Sequence, residues 1–289
     1  MIRHLMDLDI PVEFSCRYFA VSRSRYYQWA SKGQPARLKR KAEILKMIAT
    51  SFKESHGTYG SPRIWQELRH QGVKISENTV ACYMQELGLD ARLKKRFRVQ
   101  TTDSNHPFPV ADRIFRVEDH HTLPTAPGEL LAGDITYLKL GDGFIYLAVI
   151  LDVFTREVVG WSIQDSLKTD LVLEALRSAM HKTSPDAEVI FHSDRGSQYA
   201  SEAYRNFLAK SNIKPSMSRR GNCYDNSYVE SWFSSLKKEW LYRRSWSTES
   251  ELRTLVFQYI EVWYNRKRKH SALGYVSPEQ YRQKFAAAH

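Results

Sequence analysis

Three acids in this sequence are spaced to do chemistry. Asp194 follows the apolar run Val189-Ile190-Phe191 and precedes Arg195-Gly196, so its carboxylate is expected where a strand ends in a turn. Glu230 falls in the first turn of a helix expected to begin near Ser227. Asp134 interrupts an apolar strand, where a charge is costly unless something compensates it. If the strands of Asp134 and Asp194 are neighbours, both carboxylates project at about the same height of the sheet, and a divalent cation would relieve their repulsion. Acids on separate elements are how an oxygen-ligand metal site is assembled. Ser227-x-x-Glu230 also satisfies a capping box, which would make Glu230 a helix-end residue; Asp134 and Asp194 favour the ligand reading. Asp152 and Asp225 read as turn or cap residues, and His120-His121 as solvated loop histidines.

The elements that must position these acids begin at Leu130. Leu130 to Leu140, a Gly141-Asp142-Gly143 turn, Phe144 to Asp152, a Thr155-Arg156 turn and Glu157 to Ile163 predict an antiparallel meander. Its middle strand is continuously apolar from Ile145 to Leu151, hence buried on both faces. A helix capped at Thr169, the strand Val189 to Asp194, a helix from about Ser201 to Lys210 and a strand Lys214 to Ser218 complete an α/β unit with one mixed sheet. Thr248-x-x-Glu251 opens a long helix through Tyr264, and Ser277-Pro278 starts a last one.

Upstream, the pattern is helical. Glu13 to Phe19, a break at Ala20-Val21, and Ser22 capping Arg23 to Trp29 suggest a helix-turn-helix. After Gln34-Pro35, Leu38, Ala42, Leu45, Ile48 or Ala49, and Phe52 mark one helix face. Ser61-Pro62 opens the next helix, with Ser61 as its cap, ending near Gln71-Gly72; Ser76 caps another, stopped by Gly88. The prolines at 107, 109, 124 and 127 and the basic run from Arg92 to Arg98 mark a linker. The expected organisation is therefore a helical unit over 1–33, a helix-turn-helix-like unit for DNA binding or assembly over 34–91, a basic linker over 92–129, the α/β core over 130–245 and a helical basic tail over 246–289.

Composition points the same way. The chain of 289 residues carries a net charge of +11 with 7 Trp, 16 Tyr and 13 Phe, which favours nucleic acid over a membrane surface as partner. Cys16, Cys82 and Cys223 lie far apart and suggest reduced thiols. No signal-like apolar run opens the sequence and no window of about 18 apolar residues occurs, so a cytoplasmic protein without membrane attachment is expected. Candidate DNA contacts are Arg23, Arg25 and Arg63 in the helical units, Lys94, Lys95 and Arg96 in the linker, Arg195, Gln198, Asn222 and Lys237 around the acids, and Arg266, Lys267 and Arg268 in the tail. Lys237 shares a helix face with Glu230 and is the expected phosphate contact beside the acids.

The segments Gly133-Asp134-Ile135-Thr136-Tyr137-Leu138, His192-Ser193-Asp194-Arg195-Gly196-Ser197-Gln198-Tyr199 and Tyr224 to Lys237 resemble the signature of DDE transposases of bacterial insertion sequences, in particular the second-reading-frame type related to retroviral integrases. That signature has two Asp and a Glu with thirty-five residues between the last two, as between Asp194 and Glu230 here, and a basic residue two helical turns on, as Lys237 is. His56 to Ile64 and Trp263 to Tyr275 extend the resemblance over nearly the whole chain. Leu131 departs from a common Trp, and Cys82 from a frequent basic residue. The resemblance implies a ribonuclease-H-like catalytic core with a mixed five-stranded sheet, preceded by small all-α helix-turn-helix units. It implies two Mg²⁺ ions, with Mn²⁺ as substitute, held by Asp134, Asp194 and Glu230, with Asp134 bridging, and in-line cleavage and joining of DNA phosphodiesters. Its implied partners are double-stranded DNA of element terminal repeats and target, further copies of the chain on that DNA, and the product of an upstream reading frame. The implied setting is a bacterial cytoplasm, with the protein on the nucleoid when DNA-bound.

Overall fold

The computed structural model describes residues 1–32, 35–91, 111–115, 119, 123–182, 188–218 and 226–289. Lys94, Lys95, Arg96, His120, His121, Asn222, Cys223 and Asp225 lie outside the described residues. The chain divides into two compact units, Met1–Ala91 and Arg92–His289.

In the first unit, α1 (Ile2–Met6), α2 (Val12–Tyr18) and α3 (Arg23–Lys32) precede α4 (Ala36–Glu54), α5 (Ser61–His70) and α6 (Glu77–Glu86). The break after α2 is made at Ala20 with φ 52°, and the Ser22 hydroxyl accepts from the Arg25 amide at the start of α3. Ile44, Ile48, Ile64, Leu68, Val80 and Met84 form the interior where α4, α5 and α6 meet. The buried face of α4 is turned from the expected one: Ile44, Ile48 and Ser51 point inward, while Leu38 is 51% exposed. Of the expected alternatives Ile48 and Ala49 it is Ile48 that is buried, and Ile44 joins it, while Ala42, which would bury little area, stays exposed. Gly60, not Ser61, occupies the cap position of α5, and Pro62 sits in its first turn. Ser76 caps α6 as expected.

The second unit is built on one mixed sheet in the order β3-β2-β1-β4-β5. Its strands are β1 (Leu130–Leu140), β2 (Gly143–Asp152), β3 (Val158–Gln164), β4 (Val189–Ser193) and β5 (Ile213–Met217). β1 and β2, and β2 and β3, pair antiparallel; β4 runs parallel to both β1 and β5. This is the ribonuclease-H-like arrangement that the sequence led us to expect. The middle strand is buried from Leu147 to Leu151 at 2% exposure or less, because both sheet faces are covered. On one face, α7 (Thr169–Met180) and α8 (Glu202–Lys210) cover a core that includes Leu131, Ile150, Leu176, Phe191 and Tyr204. Across β1 and β2 lies α9 (Ser227–Ser235), continued by a π-helical turn over Leu236–Trp240. Trp232 meets the rings of Tyr259 and Tyr264 edge-on at 5.8 and 5.7 Å.

The last residues close the edge of the sheet. α10 (Glu249–Phe257) starts in the expected capping box of Thr248 and Glu251, runs into a second π-helical stretch over Gln258–Tyr264, and α11 (Pro278–Ala288) starts in a box of Ser277 and Gln280. The Asn265 amide donates to the Val158 carbonyl and accepts from the Val158 amide, both at 2.9 Å, so a side chain replaces a missing neighbour strand. Arg253 Nη2 donates to the Ile163 carbonyl at 2.7 Å, and Arg282 pairs with Glu157.

Gly133 shows how tightly β1 and β4 are joined. A Cβ at this position would lie 2.3 Å from Cζ of Phe191, a ring already buried in the core. Gly133→Ala is expected to destabilise the fold by about 1–3 kcal/mol through this overpacking, read as a lower midpoint in urea unfolding. An unchanged midpoint would mean that Phe191 is free to move.

Candidate active site

The register of the sheet decides where the acids meet. Gly133 pairs with Ser193 across the parallel β1–β4 ladder, so the next residue of each chain, Asp134 and Asp194, leaves the pair side by side. β4 ends there, and the Asp194 carboxylate accepts from the Gly196 amide at 3.0 Å, which turns the chain away. The Asp134 carboxylate accepts from the amide of Ile135 at 2.8 Å. Glu230 comes from the first turn of α9.

What fixes α9 over the sheet is Asn226. Its Nδ2 donates to the carbonyl of Gly133 at 3.1 Å, tying the start of the helix to the residue before Asp134. Ser227 is the first residue of α9 and not its cap, and Asn226 makes no side-chain cap bond, so the capping-box account of Glu230 fails. At the far end of the same face, Lys237 Nζ donates to the Thr136 hydroxyl at 2.6 Å and lies 5.4 Å from the ring centre of Tyr137. The helix is thus pinned to β1 on both sides of the acids.

The electrostatics follow from this crowding. Burial pushes the Asp134 carboxyl well above its ordinary range, Asp194 raises it further and Glu230 adds to the push, against the Ile135 amide and the Lys237 charge, which lower it. Tyr199 packs between Phe191 and Tyr204, and burial together with the charges of Asp134 and Asp194 raises its hydroxyl, keeping it protonated beneath the acids. Three carboxylates short of positive charge form a donor set that suits a hard cation. Among the described residues, no three ligating side chains are already closed around a metal position. Asn226 Oδ1, a buried acceptor with no donor among the described residues, is a further oxygen that a water could satisfy at this edge.

The other expected contact residues scatter. Arg195 Nε donates to the Ser218 carbonyl at 2.8 Å and Gln198 Nε2 to the Leu167 carbonyl at 3.3 Å, so both flank the Asp194 turn. In the first unit, Arg23 pairs with Glu13 at the surface, Arg25 is exposed, and Arg63 lies 5.4 Å from the Tyr59 ring centre. Arg266 and Lys267 face outward. Arg268 does not: it is 4% exposed and its guanidinium holds the Glu239 carboxylate in two hydrogen bonds of 2.6 and 2.7 Å. Its place in a basic run suggested DNA, but the chain turns it inward, and it is corrected from DNA contact to buried ion pair. Asp152 is the turn residue expected, accepting from the amides of Gly128, Phe154 and Thr155. Asn226, Thr136 and Tyr199 were missed by sequence reasoning. Only Asn226 carried a signal, as an Asn directly before a helix, and that signal pointed to a cap it does not make.

The chain is similar to known proteins over almost all of its length. Models described as Integrase core domain match residues 124–223 and 211–278, and one described as HTH-like domain matches residues 39–97. "Insertion element IS600 uncharacterized 31 kDa protein" of Shigella sonnei is 39% identical over 271 residues, 93% of this chain and 98% of the relative. "Transposase InsF for insertion sequence IS3A" of Escherichia coli strain K12 is 36% identical over 281 residues, 96% of each chain. Among solved structures, a chain of the simian T-cell lymphotropic virus intasome with the PP2A regulatory subunit B56 gamma superposes with a TM-score of 0.47 at 15% identity, covering 81% of this chain and 74% of that one.

Proposed function

Since the chain belongs to the IS3-type insertion-sequence transposases, enzymes of DNA transposition and integration with an integrase core, we propose that Asp134, Asp194 and Glu230 are its catalytic acids. The observation that carries this reading is the parallel pairing of Gly133 with Ser193, which sets two carboxylates side by side under a third from α9. Asp134, Asp194 and Glu230 would hold two Mg²⁺ ions, which would supply the positive charge needed to activate a water or a DNA 3′-hydroxyl and to stabilise the departing 3′-oxygen.

The protein's own residues position and orient. The backbone amides of Ile135 and Gly196 hold the two aspartates in fixed rotamers, and Asn226 holds α9 at the height that brings Glu230 to them. Lys237, held by Thr136, is the phosphate contact beside the acids, where its charge also favours the ionised form of Asp134. Arg195 and Gln198 sit at the Asp194 turn as further contacts to the DNA backbone, and this reading gives Asn222 the same role. Arg23, Arg25 and Arg63, the linker residues Lys94, Lys95 and Arg96, and Arg266 with Lys267 supply sequence-independent affinity. We assign 1–33 and 34–91 to recognition of element ends or assembly, 92–129 to a linker, 130–245 to catalysis and 246–289 to a basic C-terminal part. Several copies of the chain would act together on DNA in the cytoplasm, with the product of an upstream reading frame as a further partner. No helix among the described residues is long and apolar enough to cross a membrane.

A strand-transfer assay with a duplex carrying a pre-cut element end tests the reading. Joined products are expected with Mg²⁺ or Mn²⁺, and none with EDTA or in Glu230→Gln. Activity indifferent to chelation would overturn the metal assignment, and nicking without joining would make the protein a nuclease.

A further inference from the structure

Two arginines line a cavity of about 320 Å³ between α9 and the segment from Tyr264 to Ala272. Arg268 is neutralised by Glu239. Arg156 is not: Nη1 is buried and has no hydrogen-bond partner, and among the described residues no carboxylate pairs with it. Trp232, only 2% exposed, also lines the cavity, and its Nε1 is buried with no hydrogen-bond partner among the described residues. Ser227 and Ser231 bring hydroxyls from α9. Tyr228, Ser231 and Trp232 project about 100–200° round the helix from Glu230, so the cavity faces away from the acids.

Arg156 is held for this position by its turn. The Asp152 carboxylate gathers three backbone amides, the Arg156 amide donates to the Asp152 carbonyl at 2.8 Å, and Arg156 adopts φ 61°, a conformation unusual for a bulky residue and typical of functional turns. Its guanidinium carbon lies 3.8 Å from the centre of the Tyr228 ring, and this stacking leaves the N–H groups to point outward from the edge of the guanidinium plane. A half-buried guanidinium with no counter-charge among the described residues is costly as it stands and complementary to an anion.

We propose that this cavity binds a phosphate group, with the Arg156 guanidinium as the primary donor, Ser227 and Ser231 completing the shell and Trp232 as a neighbouring reporter. Donors converging from a turn and from a helix face suit a many-oxygened anion better than a planar carboxylate. At about 30 Å³ per water, the cavity has room for a phosphate and several waters. The phosphate can belong to a DNA backbone or be a free anion, and the inference does not depend on the role of the acids.

The test is an indole N–H titration of the full chain, ¹⁵N-labelled at tryptophan, with the Trp232 signal assigned by its loss in Trp232→Phe. Inorganic phosphate at constant ionic strength is expected to shift the Trp232 signal saturably in the millimolar range, and Arg156→Gln to weaken that response by about tenfold or more. Arg156→Lys, which keeps the charge without the fork, should fall between them, and unchanged remaining indole signals certify the fold of each variant. A short duplex without element ends, added to the phosphate-loaded protein, distinguishes the sources: displacement of phosphate identifies a backbone phosphodiester, and no displacement a free phosphate. A Trp232 signal unmoved by phosphate and duplex, or one that moves equally in Arg156→Gln, overturns the proposal.

Discussion

Asp134→Asn is expected to lower strand transfer by about 10³-fold or more, and at the same time to make the metal-free protein more stable at neutral pH. The activity loss corresponds to about 4 kcal/mol, in keeping with the several kcal/mol that a metal-bound carboxylate site gives to phosphoryl transfer. The gain in stability follows from the direction of the Asp134 shift. Its folded pKa stands well above the ordinary 3.8, raised by burial and by Asp194 and Glu230, so the folded protein binds the proton more tightly than the unfolded chain. The stabilisation linked to that proton is complete below about pH 3.8 and is lost as pH rises through the folded pKa. An amide carries the neutral form at every pH. The advantage of Asp134→Asn in urea unfolding should therefore be largest near pH 8 and shrink as the pH is lowered towards 5. Adding Mg²⁺ should stabilise the wild type and leave the variant nearly unchanged. A variant less stable than wild type in EDTA at pH 8 would mean that the three acids do not oppose one another as the geometry implies.

The part of this site that could be read from the sequence is the part carried by local pattern. Asp194 at a strand end and Glu230 in a first helical turn follow from the run Val189-Ile190-Phe191 and from the residues after Asn226, and both stand where expected. Asp134 could be placed on a strand but not beside Asp194, because the neighbour relation of β1 and β4 is a crossover across the intervening β2, β3 and α7. Residue types also hide direction. Ala42 satisfied a helical period in α4 without enough apolar area to choose the buried side, so the face keeps Ile48, one of the two expected alternatives, and turns towards Ile44. Asn226, Thr136 and Arg156 act through partners about 70 to 100 positions away in sequence or through a cavity shared by several elements, and no local rule reaches that far.

Arg268→Met is expected to destabilise the protein by about 3–5 kcal/mol, the usual cost of leaving one half of a buried ion pair behind. Both side chains are 5% exposed, and the guanidinium makes two hydrogen bonds to Glu239. Burial alone would lower the arginine's pKa, but the Glu239 hydrogen bonds and charge outweigh it and hold the pKa above its ordinary value. Glu239 lies on the buried face of the turn after Ser235 together with Leu236 and Trp240, three and one positions away, which carries its carboxylate inward. The chain after Tyr264 then brings Arg268 to meet it, while Arg266 and Lys267 stay outside. Replacing both partners, as Arg268→Met with Glu239→Leu, should recover most of the loss, since a fitted apolar pair costs no charge burial. In a double-mutant cycle by urea unfolding, this coupling appears as single losses that do not add. Had Arg268 been a DNA contact, Arg268→Met would weaken DNA binding at unchanged stability. The geometry reverses that expectation: stability falls with Arg268, and DNA affinity at a fixed salt concentration falls with Arg266→Ala and Lys267→Ala. Arg268 also lines the Arg156 cavity, and since Glu239 neutralises it, Arg156 is the charge that an anion would meet there.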